Sequence, residues 1–296
     1  MKIRIEQSAL TCETENLLQP RALYGMKLLL ESGVDLNIPI KDLSETQKSL
    51  LRNEAITSQE IAEGLEDGVI LFEDGNLTFK KDESPFSTAK SWDQLCRKIL
   101  FPDRKTTLKR DTKETQISLS LNLDGTGESS IDTGVVFFDH MLDQIARHGL
   151  IDLELTCKGD LEVDEHHTIE DCAIALGSAI RAAISENKAG IQRYGFVLPM
   201  DEAQATVAID LSDRPYLRWD VNLNREYVGD FPTEMLEHFF YTLAMNAKAT
   251  LHVKADGKNE HHVIESIFKG FAKALRFAVS RNERIKGILP STKGLI

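Results

Sequence analysis

The sequence predicts an α+β fold built from two similar half-domains and preceded by a small α/β segment. Three observations predict it: strands with one apolar face recur after residue 110, helical apolar rhythms lie between them, and one long segment occurs twice.

The strands come first. In TQISLSLNL (115–123), Ile117, Leu119, Leu121 and Leu123 alternate with Ser118, Ser120 and Asn122, the pattern of a half-buried strand. DGTG (124–127) supplies the turn that follows. IDLELTC (151–157) and ATVAIDL (205–211) alternate in the same way. One-sided strands with helices between them argue for an α+β sandwich rather than a doubly wound parallel sheet, whose strands are apolar on both faces.

Residues 1–104 read differently. ALYGMKLLLESG (22–33) has a helical rhythm that stops at Gly33, and TSQEIAEGLEDG (57–68) suggests a helix capped by Thr57 or Ser58 and stopped by Gly68. GVILFEDG (68–75) reads as a strand and turn, DESPFST (82–88) as a linker-like break, and SWDQLCRKILF (91–101) as one more helix. The boundary is expected near residue 105, and a chain of 296 residues is long enough for two domains.

The repeat is the most informative feature. Its copies are DHMLDQIARHGLIDLELTCKGDLEVDEHHTIEDCAIALGSAI (139–180) and TEMLEHFFYTLAMNAKATLHVKADGKNEHHVIESIFKGFAKAL (233–275). Each runs from an acidic–Met–Leu helix through an alternating strand and a polar turn to EHH-x-x-E at the start of an amphipathic helix. All eight histidines lie between positions 140 and 262. His166 and Glu170 are i,i+4 neighbours and His167 and Glu170 i,i+3 neighbours. Adjacent histidines diverge by about 100° around a helix axis, so one EHH pair can give one imidazole to each of two metals. His261, His262 and Glu265 repeat this arrangement. The upstream helices add His140 and His238, displaced by about one turn relative to the Met–Leu anchor. A lone histidine at a helix start is ordinarily structural. Six imidazoles and two carboxylates in matching places of a repeat are costly to bury without a cation. Shared equally, they make two N3O sites that suit Mn2+, Fe2+ or Zn2+. His148 and His252 lie off the pattern and read as structural or surface residues.

The net charge of −12 argues against a nucleic-acid partner while leaving room for a local phosphate pocket. Cys12, Cys96, Cys157 and Cys172 form no CxxC pair, which fits a reducing cytosol better than a disulfide framework or a thiolate zinc site. MKIRIEQSAL has no long apolar core, and no stretch approaches 18 apolar residues, so neither a signal peptide nor a membrane span is expected.

FFDHMLDQIARHG, DEHHTIED, RYGFVLPMDEA, SDRPYL, EMLEHFF, EHHVIESIFK and LPSTKG occur in this order, and together they resemble the imidazoleglycerol-phosphate dehydratases of histidine biosynthesis over residues 105–296. The resemblance implies a helix bundle sandwiched between two β-sheets, and a cytoplasmic enzyme that forms imidazole-acetol phosphate by a di-manganese imidazolate mechanism. It implies one Mn2+ on His140, His167, His261 and Glu265, and another on His166, Glu170, His238 and His262. It assigns phosphate recognition to Arg193, Arg214, Ser291 and Lys293, and acid–base chemistry to Glu114. It also implies trimers packed into a 24-subunit shell, with active sites between protomers.

In some relatives of that family a histidinol-phosphatase domain of the haloacid-dehalogenase type comes first. Residues 57–109 weakly resemble its tail and linker. Such a phosphatase needs an Asp-x-Asp pair behind an early strand, and Asp35, Asp42, Asp67, Asp74, Asp82, Asp93 and Asp103 form none. The first segment is therefore expected to be an inactive phosphatase-like remnant. Two other functions compete with the dehydratase reading. A dinuclear metallohydrolase would lean more on aspartates, and a metal-storage protein would need no phosphate cluster.

Overall fold

The computed structural model describes residues 1–11, 17–62, 64–102, 104–185 and 190–281. The chain forms two compact units, Met1–Pro102 and Asp103–Ile296.

The first unit runs β1 (Lys2–Ile5), α1 (Gln7–Leu10), α2 (Ala22–Glu31), β2 (Asp35–Asn37), α3 (Glu45–Asn53), β3 (Gly68–Glu73), β4 (Asn76–Lys81), β5 (Ser84–Ala89) and α4 (Trp92–Leu100). Its sheet has the order β2-β1-β3-β4-β5, with β1 parallel to both neighbours and the rest antiparallel. Ile3, Met26, Phe79 and Trp92 are fully buried in its core, and the Trp92 indole N–H donates to the Ala9 carbonyl at 2.9 Å.

Two local expectations change here. The described residues of 57–68 carry no helix before β3, because the Ser58 hydroxyl accepts from Ile38 N (2.8 Å) and donates to Ile38 O (3.2 Å) instead of capping. The helix lies earlier, at α3, where Ser44 and Gln47 form a reciprocal capping box. The break at 82–88 is largely strand: β5 pairs with β4 alone, and Pro85 is tolerated because this is a sheet edge.

The second unit is duplicated. Its first half is β6 (Lys105–Asp111), β7 (Thr115–Asn122), β8 (Ser129–Asp132), α5 (Val136–Gly149), β9 (Asp152–Gly159) and α6 (His166–Ser185). Its second half is β10 (Tyr194–Met200), β11 (Ala203–Asp210), β12 (Tyr216–Val221), a short β13–β14 hairpin (Tyr227–Val228 and Phe231–Pro232), α7 (Glu234–Ala247), β15 (Thr250–Asp256) and α8 (Glu260–Ala278). The sheets have matching orders, β6-β7-β9-β8 and β10-β11-β15-β12, and in each the last pair is parallel. β7 and β11 bury the same alternate positions.

The apolar faces of both sheets turn inward onto the four long helices. α6 packs on β6 and β7 and lies along α7; α8 packs on β10 and β11 and lies along α5. Phe239, Phe240, Phe268 and Phe271 are fully buried between the layers, each worth about 1.5–3 kcal/mol. Small residues set the helix crossings. A Cβ on Gly177 would sit 2.6 Å from the Leu243 carbonyl oxygen and 3.0 Å from Ala247 N, so α6 and α7 touch backbone to backbone. At the corresponding crossing, Gly149 of α5 faces Ala272 of α8.

The repeat alignment needs one correction. α5 and α7 both have 14 residues, and each ends at a left-handed residue, Leu150 (φ 50°) and Lys248 (φ 53°). His140 and His238 are each the fifth residue of their helix, so they occupy the same position rather than positions one turn apart. The Met–Leu pairs are a false anchor.

Candidate metal centre

Two clusters of imidazole and carboxylate form, and each draws on both halves. His166 and Glu170 open α6, and His238 reaches them from α7. His261 and Glu265 open α8, and His140 reaches them from α5. Within each trio the possible ligand atoms lie within 4.8 Å of one another. In the α6–α7 cluster, Glu170 stands 3.4 Å from His166 Nε2 and 3.3 Å from His238 Nε2. In the α5–α8 cluster, Glu265 stands 3.2 Å from His261 Nε2 and 3.9 Å from His140 Nε2.

These trios fit a cation. His238 Nε2 is sealed from solvent without a hydrogen-bond partner. A buried polar atom left in that state is costly, and a bound ion would satisfy it. Two imidazoles and a carboxylate also leave positions for further ligands.

His167 and His262, which the resemblance assigns to the same two ions, belong to neither trio. Their Nδ1 atoms are held by carboxylates: Asp160 at 3.1 Å from His167, and Glu202 at 3.0 Å from His262. Each hydrogen bond raises its histidine above the ordinary imidazole range, and the His262 bond holds Glu202 down at about 2. A carboxylate on one ring nitrogen fixes the tautomer and directs the other nitrogen outward, the usual support for a metal-binding histidine. Sequence reasoning missed Asp160 and Glu202: Asp160 stands in the turn just before its EHH and was open to notice, whereas Glu202 lies in the β10–β11 hairpin, 60 residues before His262, and carries no local signal.

Burial alone would raise the Glu265 carboxyl, but the Lys269 ammonium 2.8 Å away, with His140 and His261 beside it, holds it below its usual value. Glu114 lies at the tip between β6 and β7, half exposed, with Oε1 3.8 Å from His167 Nε2.

Arg193 and Arg214 converge on Asp210, at 2.7 Å and 3.5 Å. Arg193 and Asp210 also line an open cavity of about 350 Å3 together with Tyr194, Thr250 and His252. Glu202 precedes β11 and Asp210 ends it, so this arginine pair is roughly 25 Å along the strand from His262 and Glu202. Ser291 and Lys293 lie outside the described residues. His148 is half-buried in α5, and burial together with Lys269 and Lys273 lowers its pKa. No helix among the described residues is long and apolar enough to cross a membrane.

Fold and clusters define the class: a duplicated α+β sandwich whose two halves jointly build paired imidazole–carboxylate sites. The imidazoleglycerol-phosphate dehydratase family model matches residues 133–275. The imidazoleglycerol-phosphate dehydratase of Desulfitobacterium hafniense is 53% identical over 195 residues, covering 65% of this chain and 98% of that protein. The protein belongs to the imidazoleglycerol-phosphate dehydratase family. The solved dehydratase of Staphylococcus aureus superposes with a TM-score of 0.55 at 36% identity, over 60% of this chain and 99% of the other. The histidine biosynthesis bifunctional protein HisB of Spirosoma linguale is 53% identical over 205 residues, which is 69% of this chain and 53% of that protein. The sequence thus spans about half the length of the bifunctional relatives it matches.

Proposed function

We propose that the second unit dehydrates D-erythro-imidazole-glycerol phosphate to imidazole-acetol phosphate and water, using two Mn2+ ions per active site. The observation that carries this reading is the pair of crossed His–His–Glu trios, with the Glu114 carboxylate facing His167 at 3.8 Å. When bound, the ions supply positive charge at the ring nitrogens and a template for the ring's orientation. Glu114 then accepts a carbon-bound proton from the substrate's glycerol arm, hydroxide leaves from the carbon next to the ring, and the resulting enol becomes the ketone. Arg193 and Arg214 offer guanidinium forks to the phosphate, so that its binding energy aligns the reacting carbons. The arginine pair also favours this reading over metal storage, which has no use for an anion site.

The active site is completed between protomers, in trimers packed into a 24-subunit shell. Two features support this: His167 and His262 fall outside the trios of their own protomer, and the arginines stand far along β11. Sedimentation of the full-length protein with and without Mn2+ tests it; a monomer that turns over substrate overturns it.

The first unit is a phosphatase-like remnant without phosphatase activity. β1 runs directly into Glu6, Gln7 and Ser8, where such an enzyme needs its aspartate pair. The bifunctional names of the Spirosoma and Bacteroides relatives supply the competing expectation. Metal-dependent release of phosphate from histidinol phosphate would decide for that alternative.

The main test is turnover of imidazole-glycerol phosphate by metal-stripped protein with and without added Mn2+. Manganese-dependent ketone formation, blocked by small triazoles that mimic the ring, supports the reading. Absence of turnover with metal bound overturns it in favour of a hydrolase or storage role.

A further inference from the structure

The tip that carries Glu114 is fastened from beneath by a buried carboxylate. Asp171 follows Glu170 on α6 and is 7% exposed. Its Oδ1 accepts from Arg110 Nε at 3.1 Å and from Arg110 Nη2 at 2.7 Å. Its Oδ2 accepts from the Thr115 hydroxyl at 2.5 Å and lies 3.4 Å from the Thr112 hydroxyl. Thr112 Oγ1 in turn accepts the backbone N–H groups of Glu114 (3.1 Å) and Thr115 (2.9 Å). On the other side, Asp160 N donates to the Glu114 carbonyl at 3.1 Å. The shoulders and backbone of the tip are thus bound, while the Glu114 carboxylate makes no hydrogen bond among the described residues.

The second half of the unit is an internal control. Asp111 pairs with Gln116 across one tip, and Pro199 pairs with Gln204 across the other, so the two-residue tips Lys113–Glu114 and Asp201–Glu202 correspond. In this register Arg110, Thr112 and Thr115 correspond to Leu198, Met200 and Ala203, and Asp171, next to the cluster glutamate, corresponds to Ser266. The three partners are apolar in this half, and a hydroxyl stands in place of the carboxylate. Ser266 spends its hydroxyl on Val263 O of its own helix at 2.7 Å. Glu202 is itself consumed, accepting from Asn259 N at 2.8 Å and binding His262 Nδ1 at 3.0 Å. The half that bears Glu114 alone has a buried carboxylate under its tip.

We infer that Asp171, through Arg110, Thr112 and Thr115, is a positioning residue that holds the Glu114 tip in place while leaving the Glu114 carboxylate free to take a proton. This rests on the reading in which Glu114 is the base. A base must be both fixed and unspent, and fixing it by its backbone rather than by its carboxylate achieves both. A misplacement of about 1 Å can cost on the order of 10²-fold in rate.

The experiment uses the full-length protein loaded with Mn2+ and compares Thr115→Val, Thr115→Ser, Asp171→Asn and Glu114→Gln. Thr115→Val should lower kcat about 10- to 100-fold with KM for imidazole-glycerol phosphate nearly unchanged, and Thr115→Ser, which restores the hydroxyl, should recover it. Asp171→Asn should fall in the same direction. Independently of activity, hydrogen exchange at the Glu114 and Thr115 amides should speed up in Thr115→Val and Asp171→Asn, with Mn2+ stoichiometry unchanged. Unchanged exchange and unchanged kcat in Thr115→Val, alongside an inactive Glu114→Gln, overturn the positioning role alone. An active Glu114→Gln overturns the assignment of the base instead.

Discussion

The two clusters are related by the repeat, yet their carboxylates live in different company. Glu170 of the α6–α7 cluster is about one-third exposed, and its ion-pair contacts among the described residues are to the imidazoles of His166 and His238. Glu265 of the α5–α8 cluster is 7% exposed and already paired with Lys269. The position four residues after Glu170 is Ile174, so α6 offers Glu170 no counterpart of Lys269. One site has a sealed imidazole nitrogen that makes no hydrogen bond; the other already has an ammonium on its carboxylate. The two trios therefore share one composition but differ in the charge beside their carboxylates.

The largest expected effect separates the two tips. Glu114→Gln should retain Mn2+ and substrate binding and lose kcat by about 10²- to 10⁴-fold, the usual range for a lost acid–base group. Its counterpart Glu202→Gln should act through His262, weakening metal affinity by about 10- to 100-fold as titrated by calorimetry. If both variants fail in kcat with affinity intact, the tips are equivalent and the contrast collapses.

Next in size is the helix crossing. Gly177→Val forces a side chain into the Leu243 and Ala247 backbone, and overpacking of this kind costs about 1–3 kcal/mol. Thermal unfolding should show the loss, and Mn2+ should be lost first from the α6–α7 cluster. A smaller effect is expected from Lys269→Met. Freeing Glu265 from its ammonium should tighten the weaker Mn2+ step by about tenfold, so that the two binding steps become harder to distinguish. Weaker binding in that variant would mean Lys269 supports the ion rather than competing with it.

The smallest prediction concerns the first half's turn. Burial would raise the Asp124 carboxyl, but the fork and charge of Arg104 (2.7 and 3.0 Å), with Arg281 nearby, pull it below its usual value. A depressed carboxyl stabilises the fold above its unfolded value of about 3.9 and loses that contribution as pH falls through the folded value. Asp124→Asn should therefore cost about 1–2 kcal/mol at pH 7 and flatten the decline in stability below about pH 4, measured by urea unfolding across pH.

What the sequence revealed followed from which forces are local. The alternation of β7, β9 and β11 and the EHH-x-x-E helix starts are visible because period and spacing are properties of one segment. Helix α3 is equally local, and its Ser44–Gln47 capping box stands in the sequence. The Thr57–Ser58 pair outcompetes it as a signal, although Ser58 serves β2's neighbourhood instead. The register of His140 on His238 is hidden because equivalence is fixed by where the helices end, not by their Met–Leu residues. The Asp171 network is illegible for a different reason: its hydroxyl and guanidinium partners lie 56 to 61 residues away, brought to it by the pairing of β6 with β7 and the packing of α6 on both.

The crossed make-up of the clusters has a consequence for descent. Each trio takes its helix-opening histidine and glutamate from one half and its third member from the other. A single ancestral half, folded alone, would own every ligand type and no complete site. Only as a two-fold dimer could it form clusters, and it would then form two identical ones. Joining two such halves in one polypeptide removes that symmetry, and Lys269, Asp171 and the unequal tips are differences that a symmetric dimer could not hold on one side only.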